Sequence, residues 1–324
     1  MKRLVEVTLL VLCIMGIAAS NLAAQEPYPN KPVTMTHVWA AGGGSDLTCR
    51  AIAAVGKKYF GQPIIVMPKP GAGGLVGLQY LASAKPDGYT IHFGRMGDMV
   101  NAAFIEKMTF DMENDFIPVC GVGDDELVVL VSSNSGLKTI EDLIAAAKKE
   151  PGKLKCAVAG TTSSGRLVFE AFANAIGVDI PIVPFKGEVL SNLATAGGHI
   201  PVTLSTTGGV LSHVQRGELV PLIMMGNRRV KEFPNVPIPS DKGWNFDMTA
   251  WYGLFVYKGT PPSVIAKIES LYKQISEDPD FIKALNTLGC YPRFTPGKEF
   301  AVWLKGHRQE MGALIKKLGL SNIN

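Results

Sequence analysis

The chain has 324 residues, of which 47% are hydrophobic and 19% charged, with 35 Gly and 21 Pro. That composition excludes a disordered chain and a collagen-like one, and the length suits one large domain or two of medium size. The net charge of +4 is spread thinly, without a long basic run, which argues against nucleic acid as a partner.

The chain opens with Lys2 and Arg3, an apolar run from Val7 to Ala19, and the small-residue stretch Ala18-Ala19-Ser20 through Ala23-Ala24. This is the pattern of a secretory signal peptide, residues 1–24, with cleavage expected after Ala24. The apolar run is shorter than the ~20 residues that a membrane-spanning helix needs. The expected location is therefore the periplasm, as a soluble exported chain. Beyond Cys13, the cysteines are Cys49, Cys120, Cys156 and Cys290, too few for a disulfide framework and without a C-x-x-C pair. They read as buried small hydrophobes, with one long-range disulfide as the alternative.

Val33 to Trp39 reads as a strand that enters the turn Ala40-Ala41-Gly42-Gly43-Gly44. A helix follows, with Leu47, Ala51, Val55 and Tyr59 on one face and Ser45 or Asp46 as its cap. Ile64 to Met67 is the next strand, and Gly71-Ala72-Gly73-Gly74 turns the chain into a second helix near 75–84. Tyr89 to Gly94 is a third strand. Strand, helix, strand, helix, strand is the signature of a parallel sheet covered on both faces. Phe116 to Val119 and Leu127 to Val131 continue the strands, and the acidic run Asp124-Asp125-Glu126 between them reads as a solvated turn. Thr139 to Asp142 opens a helix with a capping box. Lys155 to Ala159 is a strand leading into Gly160-Thr161-Thr162-Ser163-Ser164-Gly165 and then a helix to Gly177. Strands follow at 182–185, 202–204 and 221–225. The end is helical: Val264, Ile268, Leu271 and Ile275 line one helix, and two more follow over 279–288 and about 296–318. These helices are expected to pack back on the first unit, which makes it discontinuous and gives two crossings around a cleft.

Catalytic and cofactor patterns are absent. The five histidines show no metal-ligand spacing, and H-E-x-x-H, G-x-S-x-G and Walker loops are missing. His37 and His92 read as structural residues. The turn at 71–77 resembles a dinucleotide fingerprint with Asp98 as a ribose acid, but Val76 stands where the motif needs Gly. No metal and no cofactor is expected. The turns at 42–46, 71–75 and 161–166 instead offer unpaired N–H groups at helix starts, where small anions bind. Hydroxyls of Ser45, Thr161, Thr162, Ser163 and Ser164 add donors, and Trp39 offers an apolar wall.

Several blocks stand in order along the chain: Tyr28-Pro29-Asn30-Lys31-Pro32, Trp39-Ala40-Ala41-Gly42-Gly43-Gly44-Ser45-Asp46, Pro70-Gly71-Ala72-Gly73-Gly74, Pro86-Asp87-Gly88-Tyr89-Thr90, Val183-Pro184-Phe185-Lys186-Gly187, Pro234-Asn235-Val236-Pro237 and Trp251-Tyr252-Gly253-Leu254. In these the chain resembles the Bug-type periplasmic substrate-binding proteins of tripartite tricarboxylate transporters. The resemblance implies a type II periplasmic-binding-protein fold: two α/β domains with a central cleft and hinge, domain 1 from residues 25–125 plus 252–324 and domain 2 from 126–251. It also implies a pocket built from Trp39, Ala40, Gly43, Ser45, Asp46, Thr161, Thr162, Ser163, Ser164, Lys186 and Gly187, with Asp46 as a cap or orienting group. The sequence departs from the family at Val38, where Pro is common, at Arg95-Met96, where small hydroxyl residues are usual, at Ser164-Gly165-Arg166, where a His is common, and at Pro201, where Asp is common. Arg95 or Arg166 could hold a second ligand carboxylate as a bidentate fork. The expected function is capture of a small organic carboxylate (mono-, di- or tricarboxylate) and delivery to membrane transporter subunits by a monomeric receptor, without catalysis. A ligand-sensing receptor for a signalling partner and a periplasmic enzyme are the alternatives.

Overall fold

The computed structural model describes residues 28–321; the signal peptide expected over residues 1–24 lies outside them. In chain order the strands are β1 (Val33–His37), β2 (Ile64–Pro68), β3 (Thr90–Arg95), β4 (Phe116–Asp125), β5 (Leu127–Ser132) and β6 (Cys156–Val158). They continue with β7 (Ile182–Pro184), β8 (Val202–Thr206), β9 (Leu219–Met224), β10 (Ala250–Tyr257) and β11 (Cys290–Pro296). Two sheets result, one ordered β11-β4-β10-β3-β1-β2 and the other β7-β6-β8-β5-β9. β2, β1 and β3 run parallel, as strands joined by crossover helices must. This is the two-unit α/β architecture of periplasmic binding proteins.

The path between the sheets decides where a cleft can form. Glu126 alone separates β4 from β5, so the chain leaves the first sheet and enters the second across one residue. It returns through the segment between Met224 and Ala250. β10 then takes the centre of the first sheet, antiparallel to both β3 and β4. Its sequence, Ala-Trp-Tyr-Gly-Leu-Phe-Val-Tyr, is an unbroken apolar run, as suits a strand covered on both faces. The helices Pro262–Ser276 and Pro279–Thr287 pack back on that sheet: Ile268, Leu271, Ile275 and Phe281 share a core with Cys49 and Ile52.

The Thr139 capping box is present, with Thr139 Oγ1 accepting from Asp142 N and Asp142 accepting from Thr139 N. The first helix, Gly44–Phe60, differs from expectation in two ways. Its N-cap is Gly43 and makes no side-chain cap bond, so neither Ser45 nor Asp46 is the cap. Its buried face runs through Thr48, Cys49, Ile52, Gly56 and Phe60, while Leu47, Val55 and Tyr59 are only half-buried. Small residues set this face: a Cβ at Gly56 would lie 2.4 Å from Ile64 Cδ1, so the helix sits closer to the sheet than large side chains would allow.

The acidic run at 124–126 is not a solvated turn. Asp125 and Glu126 are fully buried where the chain changes sheets. Asp125 pairs with Arg95, and Arg228, from the return segment, pairs with both Asp124 and Glu126. The two crossings are thus tied to each other by one guanidinium. Cys49, Cys120, Cys156 and Cys290 are buried free thiols, in line with their reading as small hydrophobes. Among the described residues, no helix is long and apolar enough to cross a membrane.

Candidate functional site

A cavity lies between the two sheets, at the carboxyl ends of β1, β3, β6 and β8 and at the starts of the helices that follow β1, β6 and β7. The first unit supplies Trp39, Ala40, Gly43, Gly44 and Ser45 from the turn after β1, and Arg95 from the end of β3. The second supplies Ser163, Ser164 and Gly165 from the start of the helix Ser164–Ala175. Glu188 and Val189 open the helix Glu188–Ala196, and Ser205 and Thr206 end β8. Leu127, Ala159 and Leu204 complete an apolar wall. The open space is small, about 60 Å³, room for about four waters.

Arg95 is buried against this space. Its Nη1 donates to Ser45 Oγ at 3.2 Å, and its Nη2 donates to Asp125 Oδ2 at 3.4 Å. Its guanidinium lies over the Tyr252 ring, 5.1 Å from the centroid. Burial pushes the Asp125 carboxyl up to about 7, against the opposing pull of Arg95. Trp39 bridges the units. A Cβ at Gly97 would lie 3.0 Å from its ring, and a Cβ at Gly160 would lie 3.6 Å from it. Its indole Nε1 is buried with no hydrogen-bond partner among the described residues.

The centre of the site is a residue that sequence reasoning missed. Glu188 Oε1 accepts from Ser205 Oγ at 2.6 Å, Thr206 Oγ1 at 2.7 Å and Thr206 N at 2.8 Å. Its Oε2 accepts from Gly44 N at 3.3 Å, across from the other unit. The signal that could have found Ser205 and Thr206 was present. Leu204-Ser205-Thr206-Thr207-Gly208-Gly209 is a strand running into hydroxyls and glycines, the same pattern that singled out 160–165. Glu188 carried no such signal, because an acid at a helix start is the ordinary preference.

The expected site residues divide. Trp39, Ala40, Gly43, Ser45, Arg95, Ser163 and Ser164 line the cavity. Asp46, Thr161, Thr162, Lys186 and Gly187 lie outside its lining. Asp46 accepts from Gly42 N and Arg50 and contacts His37 Nε2; burial is outweighed by these bonds, which hold its carboxyl below the usual range. Thr162 Oγ1 donates to Gly73 O at 2.7 Å and Thr161 Oγ1 to Glu106 at 3.4 Å. Gly73 and Thr162 therefore meet each other across the units, while Ser163 of the same turn stays in the cavity lining. Gly187 packs on Ala40, and Lys186 is exposed. Arg166 is half-buried on its own helix, where it pairs with Glu170 and donates to Thr161 O. His92 pairs with Asp98, which removes Asp98 from any ribose role. Among the described residues, His, Cys, Asp and Glu form no group able to hold a metal ion.

The sequence profile of the tripartite tricarboxylate transporter family receptor, TctC, matches residues 48–320. The chain belongs to the TctC receptor family. It is 30% identical over 308 residues to a protein encoded in the gbd 5′ region of Cupriavidus necator, covering 95% of this chain and 94% of that one. The solved periplasmic binding protein BugD superposes with a TM-score of 0.85 at 26% identity, covering 91% of this chain and 99% of BugD. MatC from Rhodopseudomonas palustris, solved with bound malate, superposes with a TM-score of 0.81 at 26% identity, covering 90% and 99%. The TctC family is one of receptors rather than enzymes.

Proposed function

We propose that this TctC-family chain is a periplasmic receptor that closes on a small organic carboxylate and delivers it to a membrane transporter, acting as a single chain and without catalysis. The observation that carries this reading is the convergence of donors from both sheets on one cavity. Helix starts at Gly44 and Ser164, the Ser45, Ser163 and Ser164 hydroxyls and the Arg95 guanidinium all border it. Such donors are aimed before the ligand arrives, so they hold an anion with little reorganisation. Closure would turn on residues 125–127 and 225–249, between a domain of residues 25–125 plus 252–324 and one of residues 126–251. Direct contacts are assigned to Trp39, Gly43, Ser45, Arg95, Ser163 and Ser164. Ala40, Asp46, Thr161, Thr162, Lys186 and Gly187 support them by shaping the turns.

The test is titration calorimetry on protein that has been unfolded and refolded to strip any copurified ligand. The panel runs through lactate, alanine, malate, adipate, citrate, aspartate and nicotinate, with NAD as a control. Saturable one-to-one binding of an acid supports the reading. Binding of NAD alone, or turnover of a bound compound, would overturn it.

A further inference from the structure

We propose that Glu188 is a tethered carboxylate that fills one anion seat of this pocket, so that the ligand is a small acid with a single anionic group and a hydrogen-bond donor at its other end. The inference rests on the carboxylate-receptor reading and names the class of acid within it. Its basis is what Glu188 touches. Four donors converge on one carboxyl group: two main-chain N–H groups and two hydroxyls, drawn from both units. Gly44 N belongs to the start of one helix, and Thr206 is the N-cap of another, Thr207–Gln215. This is the donor set that a free carboxylate would seek at helix starts, and a side chain of the protein already occupies it.

The surroundings are fitted to that carboxyl group. A Cβ at Gly209 would lie 2.6 Å from Glu188 Cδ, so no side chain could stand there while Glu188 keeps its place. Gly44 likewise faces Glu188 Oε2, with Arg95 Nη1 beside it. Arg95 is matched by Asp125 behind it. With Glu188 in front, no unmatched positive side chain is left in the lining.

The unused donors lie on the other side of the cavity. Ser164 is only 7% exposed and lines the space, and its hydroxyl has no hydrogen-bond partner among the described residues. Trp39 also lines the space, but its unpartnered Nε1 is itself closed off from it. With the first N–H groups of the helix Ser164–Ala175 beside it, the Ser164 hydroxyl provides one seat for one carboxylate. The opposite end of the ligand then meets Glu188 Oε2, which takes only the long bond from Gly44 N. A hydroxyl or ammonium group satisfies that oxygen; a second carboxylate is repelled by it. An amino or hydroxy acid fits, and a dicarboxylate does not.

The test compares wild type with Glu188→Ala and Glu188→Gln. By calorimetry, wild type should prefer lactate or alanine over malate and adipate by about tenfold or more, and both variants should shift that ratio towards the dicarboxylates by about tenfold. In thermal unfolding, acetate should raise the melting temperature of Glu188→Ala saturably, by refilling the vacated seat, and by clearly more than it raises that of wild type, which offers it only the Ser164 seat. If Glu188→Ala fails to fold, Glu188→Gln keeps the side-chain volume and the selectivity ratio still decides. Wild type that takes malate or adipate as well as the variants do overturns the proposal, as does a Glu188→Ala protein indifferent to acetate with an unchanged ratio. The two readings fail separately. Acetate rescue without binding of any larger acid keeps the tethered seat and sinks the carboxylate receptor. Tight dicarboxylate binding by wild type does the reverse.

Discussion

Replacing Glu126 by Gln tests the buried acid at the crossing between the sheets. Glu126 Oε1 accepts from Arg228 Nε at 2.9 Å, and its Oε2 has no partner among the described residues. Burial pushes the carboxyl from its ordinary 4.5 up to about 7, against the pull of Arg228. The folded chain therefore keeps a proton that the unfolded chain sheds between about pH 4.5 and 7. Stability from this group is full below pH 4.5 and lost as the pH rises through 7. At about 1.4 kcal/mol per pH unit, and counting only pH 5 to 8, the loss is about 2.5 kcal/mol. Glutamine keeps the volume and the acceptor for Arg228 but does not titrate. Asp125, also pushed up to about 7 by burial, is retained in both proteins, as is His307, which burial pushes down to about 4 and whose pH dependence has the opposite sign. The difference between the two proteins reports Glu126 together with its charge coupling to neighbouring Asp125, which the Glu126 charge pushes the same way. Urea unfolding followed by tryptophan fluorescence at pH 5, 6, 7 and 8 should show wild type losing about 2 to 3 kcal/mol relative to Glu126→Gln across that range. Parallel curves, offset by a constant, would refute the argument that this carboxyl holds its proton in the fold.

Three further outcomes follow from particular contacts and buried groups. A Cβ at Gly208 would lie 1.7 Å from Leu288 O on the other unit, and neighbouring Thr207 Oγ1 donates to Gly289 O at 2.8 Å; Gly208→Ala should keep its circular dichroism but lose about tenfold or more in ligand affinity by calorimetry, and unchanged affinity would show that closure does not need this contact. Thr162→Val removes the bond to Gly73 O and should cost about 1 to 2 kcal/mol of stability in urea unfolding; Ser45→Ala, which loses the contact to Arg95, should instead weaken ligand binding with little change in stability. Burial pushes the thiols of Cys49, Cys120, Cys156 and Cys290 well up, so Ellman's reagent should find all four silent in the folded chain and all four reactive in denaturant.

Most of the local structure was legible because it rests on local chemistry. The Thr139 capping box needs only residues 139 and 142, and the Gly-rich turns need only their own backbone freedom. The elements that went unread were those whose reasons lie elsewhere in the chain. β10 has the length and apolarity of a buried strand, but its place between β3 and β4 depends on partners more than a hundred residues away. β11 is half-exposed and broken by Pro292, so no alternation marked it between two clear helices. The Asp124-Asp125-Glu126 run looked solvated because three acids in a row usually are. Its burial is understandable only once Arg95 and Arg228 arrive from other elements to face it.

The same argument explains the site, and it separates two kinds of information. Helix starts and hydroxyl-rich turns can be read from short windows, so Trp39 to Ser45 and Ser163 to Ser164 were found. Which of those starts still has room for an anion cannot be read that way. Glu188 follows Lys186-Gly187 directly, yet its Oε2 bond reaches Gly44, 144 residues earlier, and its Oε1 bonds reach across 17 and 18 residues to Ser205 and Thr206. A charge of one sign at a helix start is unremarkable alone, but placed where two units meet it competes for the seat that a ligand would use. Charge selectivity in this pocket therefore depends on which donors the protein has already engaged, and a residue-type inventory of the turns cannot supply that. For this chain, the donors left open are those around Ser164, and the acid facing them sets what the ligand's far end must be.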